Sequence, residues 1–293
     1  MPVLNDAHCH FFSPPFFAAL GGDAALAKLG WEPPGNAEAL ADRWVQELDR
    51  HGVARAALIA SIPTDSASVA AAVRRHRRRF VGFFMVDPTQ ADAAEQAAAA
   101  LDRGGLRAIC LFPAMHRFPI HDPCVERVFA VAAQRPGTAV FVHCGVLSIG
   151  VRKKLGLPSP FDLRFGNPLD LHATALRHPQ VPIIIPHFGA GLLREALMVA
   201  DLCPNVLLDT SSSNAWIKYQ PGLTLVDVMR QALAVVGPDR LLFGTDSSFF
   251  PRGWVHEVFA QQASMLDELD VRADVRAKVL GGNFDRLFPV GAD

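Results

Sequence analysis

Close to its N-terminus the chain reads Asn5-Asp6-Ala7-His8-Cys9-His10. Side chains of an extended strand alternate between two faces, so Asp6, His8 and His10 share one face while Ala7 and Cys9 share the other. Two imidazoles on one face are half of a site for zinc or a neighbouring metal. Two solvated loop histidines are the plainer account of such a pair taken alone. Val3 and Leu4 lead into the run and Phe11-Phe12-Ser13-Pro14-Pro15 breaks it, which puts both histidines at the end of a strand.

Other reactive side chains also stand where apolar runs stop. Val140-Phe141-Val142 ends at His143, Ile183-Ile184-Ile185-Pro186 at His187, and Leu241-Leu242-Phe243-Gly244-Thr245 at Asp246. After the first strand, the apolar runs predict strands at 53–60, 80–86, 106–112, 138–143, 181–186, 206–209 and 240–244. Helical patterns fall between them, at 37–51, 66–78, 91–103, 124–134, 192–202 and 223–236, and two more helices at 255–269 and 272–280 close the chain. Eight short strands alternating with helices imply parallel pairing through right-handed crossovers, and eight closes a (β/α)8 TIM barrel, an α/β fold of one domain spanning 1–293. An open doubly wound sheet would carry a Gly-x-Gly-x-x-Gly turn after its first strand, where this chain has His-Cys-His. Barrels of this kind place reactive groups at the C-terminal strand ends, so His8, His10, His143, His187 and Asp246 would meet at one mouth. Two insertions, at about 11–36 and 145–168, are long enough to belong to that mouth.

Composition narrows the partners. The 293 residues carry 28 basic and 29 acidic side chains, which gives no electrostatic reason to expect a nucleic acid or an anionic membrane. A small-molecule substrate is the expectation. The five cysteines form no Cys-x-x-Cys pair and read as reduced thiols of a cytoplasmic protein. There is no basic stretch followed by an apolar one at the start, as a secretory signal would have, and no apolar run approaches the ~20 residues of a membrane span. The basic run Arg74-Arg75-His76-Arg77-Arg78-Arg79 falls at a helix C-terminus, where cations suit the macrodipole, and reads as a solvated helix end.

Asp6-Ala7-His8-Cys9-His10, Phe141-Val142-His143-Cys144-Gly145, Ile185-Pro186-His187-Phe188-Gly189, Leu242-Phe243-Gly244-Thr245-Asp246 and Gly281-Gly282-Asn283 together resemble the amidohydrolase superfamily. They are most similar to the amidohydrolase-related branch that includes aminocarboxymuconate-semialdehyde decarboxylase, aromatic acid decarboxylases and lactone hydrolases. The resemblance implies that His8, His10, His143 and Asp246 hold one divalent metal, zinc first and manganese second. It assigns His187 to acid/base or polarising work beside the metal and gives Asp246 a catalytic proton as well. Relatives with two metals carry a bridging lysine at the end of strand four, where this chain has Ala108-Ile109-Cys110-Leu111-Phe112-Pro113, so one metal is expected. A homo-oligomer, dimer or larger, is also implied.

The function expected first is metal-dependent hydrolysis of an amide, ester or lactone in a small carboxylated compound. Non-oxidative decarboxylation at the same site is the alternative, and a non-catalytic barrel acting as a binding module comes third. For substrate contacts, Arg152 and Arg164 in the second insertion suit a carboxylate, while His116 follows strand four and Trp216 follows strand seven. Solvated loops and inter-loop packing would account for these four equally well.

Overall fold

Apolar runs bounded by polar or Gly/Pro residues become strands buried on both faces, as a parallel sheet covered by helices requires. The computed structural model describes residues 3–211 and 215–291. Its strands are β1 (Asn5–Phe11), β2 (Arg55–Ala60), β3 (Phe80–Met85), β4 (Leu106–Leu111), β5 (Ala139–Val142), β6 (Ile183–Ile185), β7 (Val206–Asp209), β8 (Leu241–Leu242) and β9 (Ser247–Ser248). Each of β1 to β8 pairs in parallel with the next, and β9 lies along the other edge of β1. The backbone between β8 and β9 completes the ring, because the Ala7 N–H donates to the Phe243 carbonyl at 2.8 Å. Together β8 and β9 fill the eighth strand position, and the expected (β/α)8 arrangement is what forms.

The core has two layers. Inside the curl sit Ile59, Phe83, Cys110, Phe141 and Leu207, with Phe284 and Phe288 of the last helical segment stopping the lower end. Between strands and helices lie Cys9, Leu58, Trp44, Val140 and Cys144, so the thiols flanking His8 and His143 face away from the interior, as strand alternation demands. Asp6 is a fully buried acid in this apolar setting. Its carboxylate accepts from the Thr245 N–H (3.2 Å) and hydroxyl (2.5 Å), the Trp254 Nε1–H (2.7 Å) and the His8 N–H (2.9 Å). Burial pushes its pKa up to about 6, against the pull of those hydrogen bonds.

The two insertions cover the mouth. The first holds helices Pro14–Ala19 and Gly22–Leu29, the second Gly150–Leu155. The Ser13-Pro14-Pro15 run that reads as a strand breaker is also a helix start: the Ser13 hydroxyl accepts from the Phe16 N–H and proline occupies the first helical position. Lys28 Nζ donates to the Leu155 carbonyl at 2.7 Å and ties one insertion to the other. Among the described residues no helix is long and apolar enough to cross a membrane.

After β5 the chain passes so close to the turn after β6 that a Cβ at Gly145 would lie 2.2 Å from the Gly189 carbonyl oxygen, and its φ is +74°. Gly145→Ala should therefore cost at least about 1–2 kcal/mol from the left-handed backbone alone. Thermal unfolding checks this: we expect a midpoint lowered by more than about 2 °C, and an unchanged midpoint would contradict it.

Candidate active site

Strand β1 ends with His8 and His10 directed into the mouth, and Asp246 meets them from the segment joining β8 to β9. Nε2 of His8 lies 3.5 Å and Nε2 of His10 3.2 Å from Asp246 Oδ1. One ligand atom from each of the three residues falls within 4.8 Å of the other two. The donor chemistry fits a divalent cation. Asp209 Oδ2 stands 2.6 Å from His8 Nδ1, and a carboxylate only accepts, so Nδ1 carries the hydrogen and Nε2 offers its lone pair. His10 Nδ1 is fixed in turn by the Ser61 hydroxyl at 3.0 Å.

The electrostatics agree with this geometry. Burial would lower the pKa of His8, but the Asp209 carboxylate outweighs it and raises the value, favouring positive charge at the ring. A cation held at Nε2 would supply that charge in place of a proton. Burial alone would raise the pKa of Asp246; instead the His10 contact and the neighbouring imidazoles hold it well below the carboxylate range. Gly244 leaves room for this packing, since a Cβ there would lie 2.8 Å from Asp209 Oδ1 and 3.0 Å from His8 Cβ.

His187 arrives on a strained turn. From His187 to Gly191 the φ angles are +57°, +52°, +85°, +43° and +98°, a run of left-handed backbone of which only two residues are glycine. Such strain persists where the surroundings enforce it, most often at functional sites. The ring's Nδ1 donates to the Ser211 carbonyl at 2.8 Å, which leaves Nε2 as the basic nitrogen. Burial lowers the His187 pKa despite the nearby Asp246 and Asp209, so the ring is a neutral base near pH 7.

His143, the fourth ligand implied by resemblance, lines the same cavity beside the trio. No ring nitrogen of His143 completes a group within 4.8 Å of all three donors. Its ring stacks on Phe112 (5.4 Å between centroids) and approaches His187 (5.3 Å). Its Nδ1 is buried without a partner among the described residues, and burial, with His187 and His8 adding to it, drives its pKa well down.

These groups floor a cavity of about 740 Å³. Phe12, Phe16, Trp31, Phe112, Trp216 and Phe250 wall it, with Phe12 stacked on Phe16 at 4.2 Å. The lining cations are Lys154, Lys218 and Arg252, and Lys154 Nζ sits 5.5 Å from the Trp31 ring. Of the expected substrate contacts only Trp216 lines the cavity, and its buried Nε1 has no acceptor among the described residues. Arg152 donates instead to the Pro158 carbonyl at 2.9 and 2.7 Å, and Arg164 pairs with Asp162 at 2.6 Å on an exposed surface. His116 is half-buried, with Nδ1 unpartnered among the described residues, and does not line the cavity. Within the Gly150–Leu155 helix, positions two apart face different sides, so turning Lys154 to the mouth turns Arg152 away.

Asp209, Ser211 and Ser61 were not singled out by sequence reasoning. Asp209 ends β7, and the strand-end rule that selected Asp246 would have found it. The arrangement predicts that Asp209→Asn leaves the fold intact but weakens metal binding roughly 10–100-fold. Chelator competition measures this, and an unchanged affinity would show that Asp209 does not orient His8.

Comparison with known proteins adds four findings. The amidohydrolase family model matches residues 6–290. Protein fluG of Emericella nidulans is 25% identical over 170 residues, 57% of this chain but only 18% of that protein, so the chain spans less than a fifth of this relative's length. Among solved structures, the 5-carboxyvanillate decarboxylase LigW of Sphingomonas paucimobilis superposes with a TM-score of 0.66 at 17% identity, covering 99% of this chain and 100% of LigW. A probable 2-pyrone-4,6-dicarboxylic acid hydrolase of Acinetobacter baumannii gives 0.63 at 14% identity, covering 97% and 98%. At such identities the structural likeness establishes the barrel.

Proposed function

This chain belongs to the amidohydrolase family, and from that premise we propose that it is a metal-dependent hydrolase of an amide, ester or lactone bond in a small carboxylated molecule. The observation that carries the reading is the trio His8, His10 and Asp246 at the floor of a cavity that also exposes His187. Two imidazoles and a carboxylate would hold the cation, a donor set that suits zinc first and manganese second, with positions left for other ligands. When bound, such a cation supplies Lewis acidity towards water and a carbonyl.

The remaining work falls to the chain. Asp246, besides helping to hold the cation, would take a proton from the attacking water. His187, neutral and with its Nδ1–H on the Ser211 carbonyl, receives at Nε2 the proton that Asp246 removes and passes it to the leaving group. Lys154, Lys218 and Arg252 grip a substrate carboxylate, the last with a bidentate fork. Trp216 donates its unpartnered Nε1–H to a substrate oxygen, and His143 offers a second neutral imidazole.

Decarboxylation of a planar aromatic acid at this site is the second reading. The aromatic walls favour it, and so does the overall likeness to LigW. A panel of lactones, amides and aromatic acids given to the metal-loaded protein separates the two, since carbon dioxide release without water consumption would replace the hydrolase reading. For either reaction, His187→Asn should lower turnover by about 10²–10⁴ with metal content unchanged. Loss of metal in that variant would make His187 a ligand instead.

A further inference from the structure

At the opposite end of the barrel lies a second cavity, of about 530 Å³, lined by Arg55, Arg74, Arg77, Arg78, Arg103 and Arg107. We propose that it binds a small phosphate-rich anion, either a free polyphosphate or the phosphate tail of a nucleotide. The six arginines come from separate elements: the start of β2, the end and trailing turn of helix Ser66–Arg75, the end of helix Ala93–Asp102, and the start of β4. No carboxylate lines the cavity among its described residues, in a chain whose net charge is only −1.

The pairing pattern within one basic run separates this cavity from an ordinary solvated helix end. Arg75 and His76 are both neutralised by Asp42, and Arg79 by Asp49. Arg74, Arg77 and Arg78, which line the cavity, have no ion pair among the described residues, and neither does Arg103. A helix macrodipole explains a cation at each helix C-terminus. It does not explain arginines from two strands joining them, nor acids standing against Arg75 and Arg79 while Arg74, Arg77 and Arg78 of the same run have none among the described residues.

Arg55 supplies an independent sign. It is 7% exposed, donates to Asp285 at 2.6 Å and lies 5.1 Å from the Phe284 ring, yet its buried Nε has no partner among the described residues. A buried donor at the wall of a basic cavity is what an anion's oxygen would satisfy. Planar guanidinium forks match phosphate oxygens in pairs, so affinity should climb with the number of phosphates. The volume fits a small molecule, and the flanking Phe80 and Phe288 are buried, so stacking of exposed nucleobases is not offered.

Calorimetric titration of the full chain with phosphate, pyrophosphate, tripolyphosphate and ATP tests the site independently of any activity. We expect saturable one-to-one binding of tripolyphosphate, stronger than pyrophosphate and far stronger than phosphate, and weakening with added salt. ATP matching tripolyphosphate supports recognition of phosphates alone, and ATP exceeding it supports a nucleotide as the source. A variant combining Arg77→Gln, Arg78→Gln and Arg103→Gln should bind tripolyphosphate at least about tenfold more weakly, with Arg103→Gln alone losing less in the same direction. The control Arg194→Gln, Arg230→Gln, Arg272→Gln removes equal charge from arginines paired with Glu195, Asp227 and Asp274, and should bind as the parent does. No saturable binding, equal losses in the two triple variants, or tighter binding of single-stranded RNA than of tripolyphosphate would overturn the proposal.

Discussion

A carboxylate without water around it is tolerated only when its hydrogen bonds are made, and Asp6 makes four, all within the barrel wall. Three come from the segment after β8, from residues 239 and 248 positions away in the chain, and hold that segment against β1. Bonds to a charged acceptor contribute about 1.5–3 kcal/mol each, more than neutral ones. The same carboxylate fixes the His8 backbone through its N–H and the residue before Asp246 through Thr245. One buried acid thus closes the ring and sets the spacing between the two sides of the trio.

From that clasp the polar network runs upward. Asp209 orients His8, Ser211 touches both His8 and His187, and Ser61 orients His10, so each reactive ring has one nitrogen occupied and one left for chemistry. The left-handed turn that delivers His187 costs of order 1–3 kcal/mol per strained residue. It is held by the Val146 N–H donating to the Ala190 carbonyl at 2.9 Å and by the close passage of Gly145. The mouth is hydrogen-bonded at its floor and covered by the two insertions, which bring Trp31 and Lys154 together above it.

Strands and the reactive residues at their ends were legible in the sequence because both depend on local pattern: an apolar run, then a polar terminus. The 11–36 insertion reads in the sequence as a long loop with one short helix near 23–29, which forms as Gly22–Leu29, while the Pro14–Ala19 helix is not legible there. Ser13-Pro14-Pro15 carries two opposite meanings, breaker of one element and cap of the next, and only the packing of Phe16 and Phe17 decides between them. The choice of Lys154 over Arg152 depends on the rotational phase of a short helix in an irregular insertion, which no periodicity encodes. Asp209 acts on His8 across 201 residues. His143 occupies the expected strand end, and that its ring stacks on Phe112 is a packing detail invisible from spacing. The basic run near residue 77 reads as a helix end until Arg55 and Arg107 join it from neighbouring strands.

Anomalous diffraction from crystals of the zinc- or manganese-loaded protein tests the central claim most directly. The account predicts one peak at the mouth, about 2.0–2.2 Å from Nε2 of His8, Nε2 of His10 and a carboxylate oxygen of Asp246. A fully loaded crystal with no density among those three atoms, or with its ion held by other residues, would contradict it.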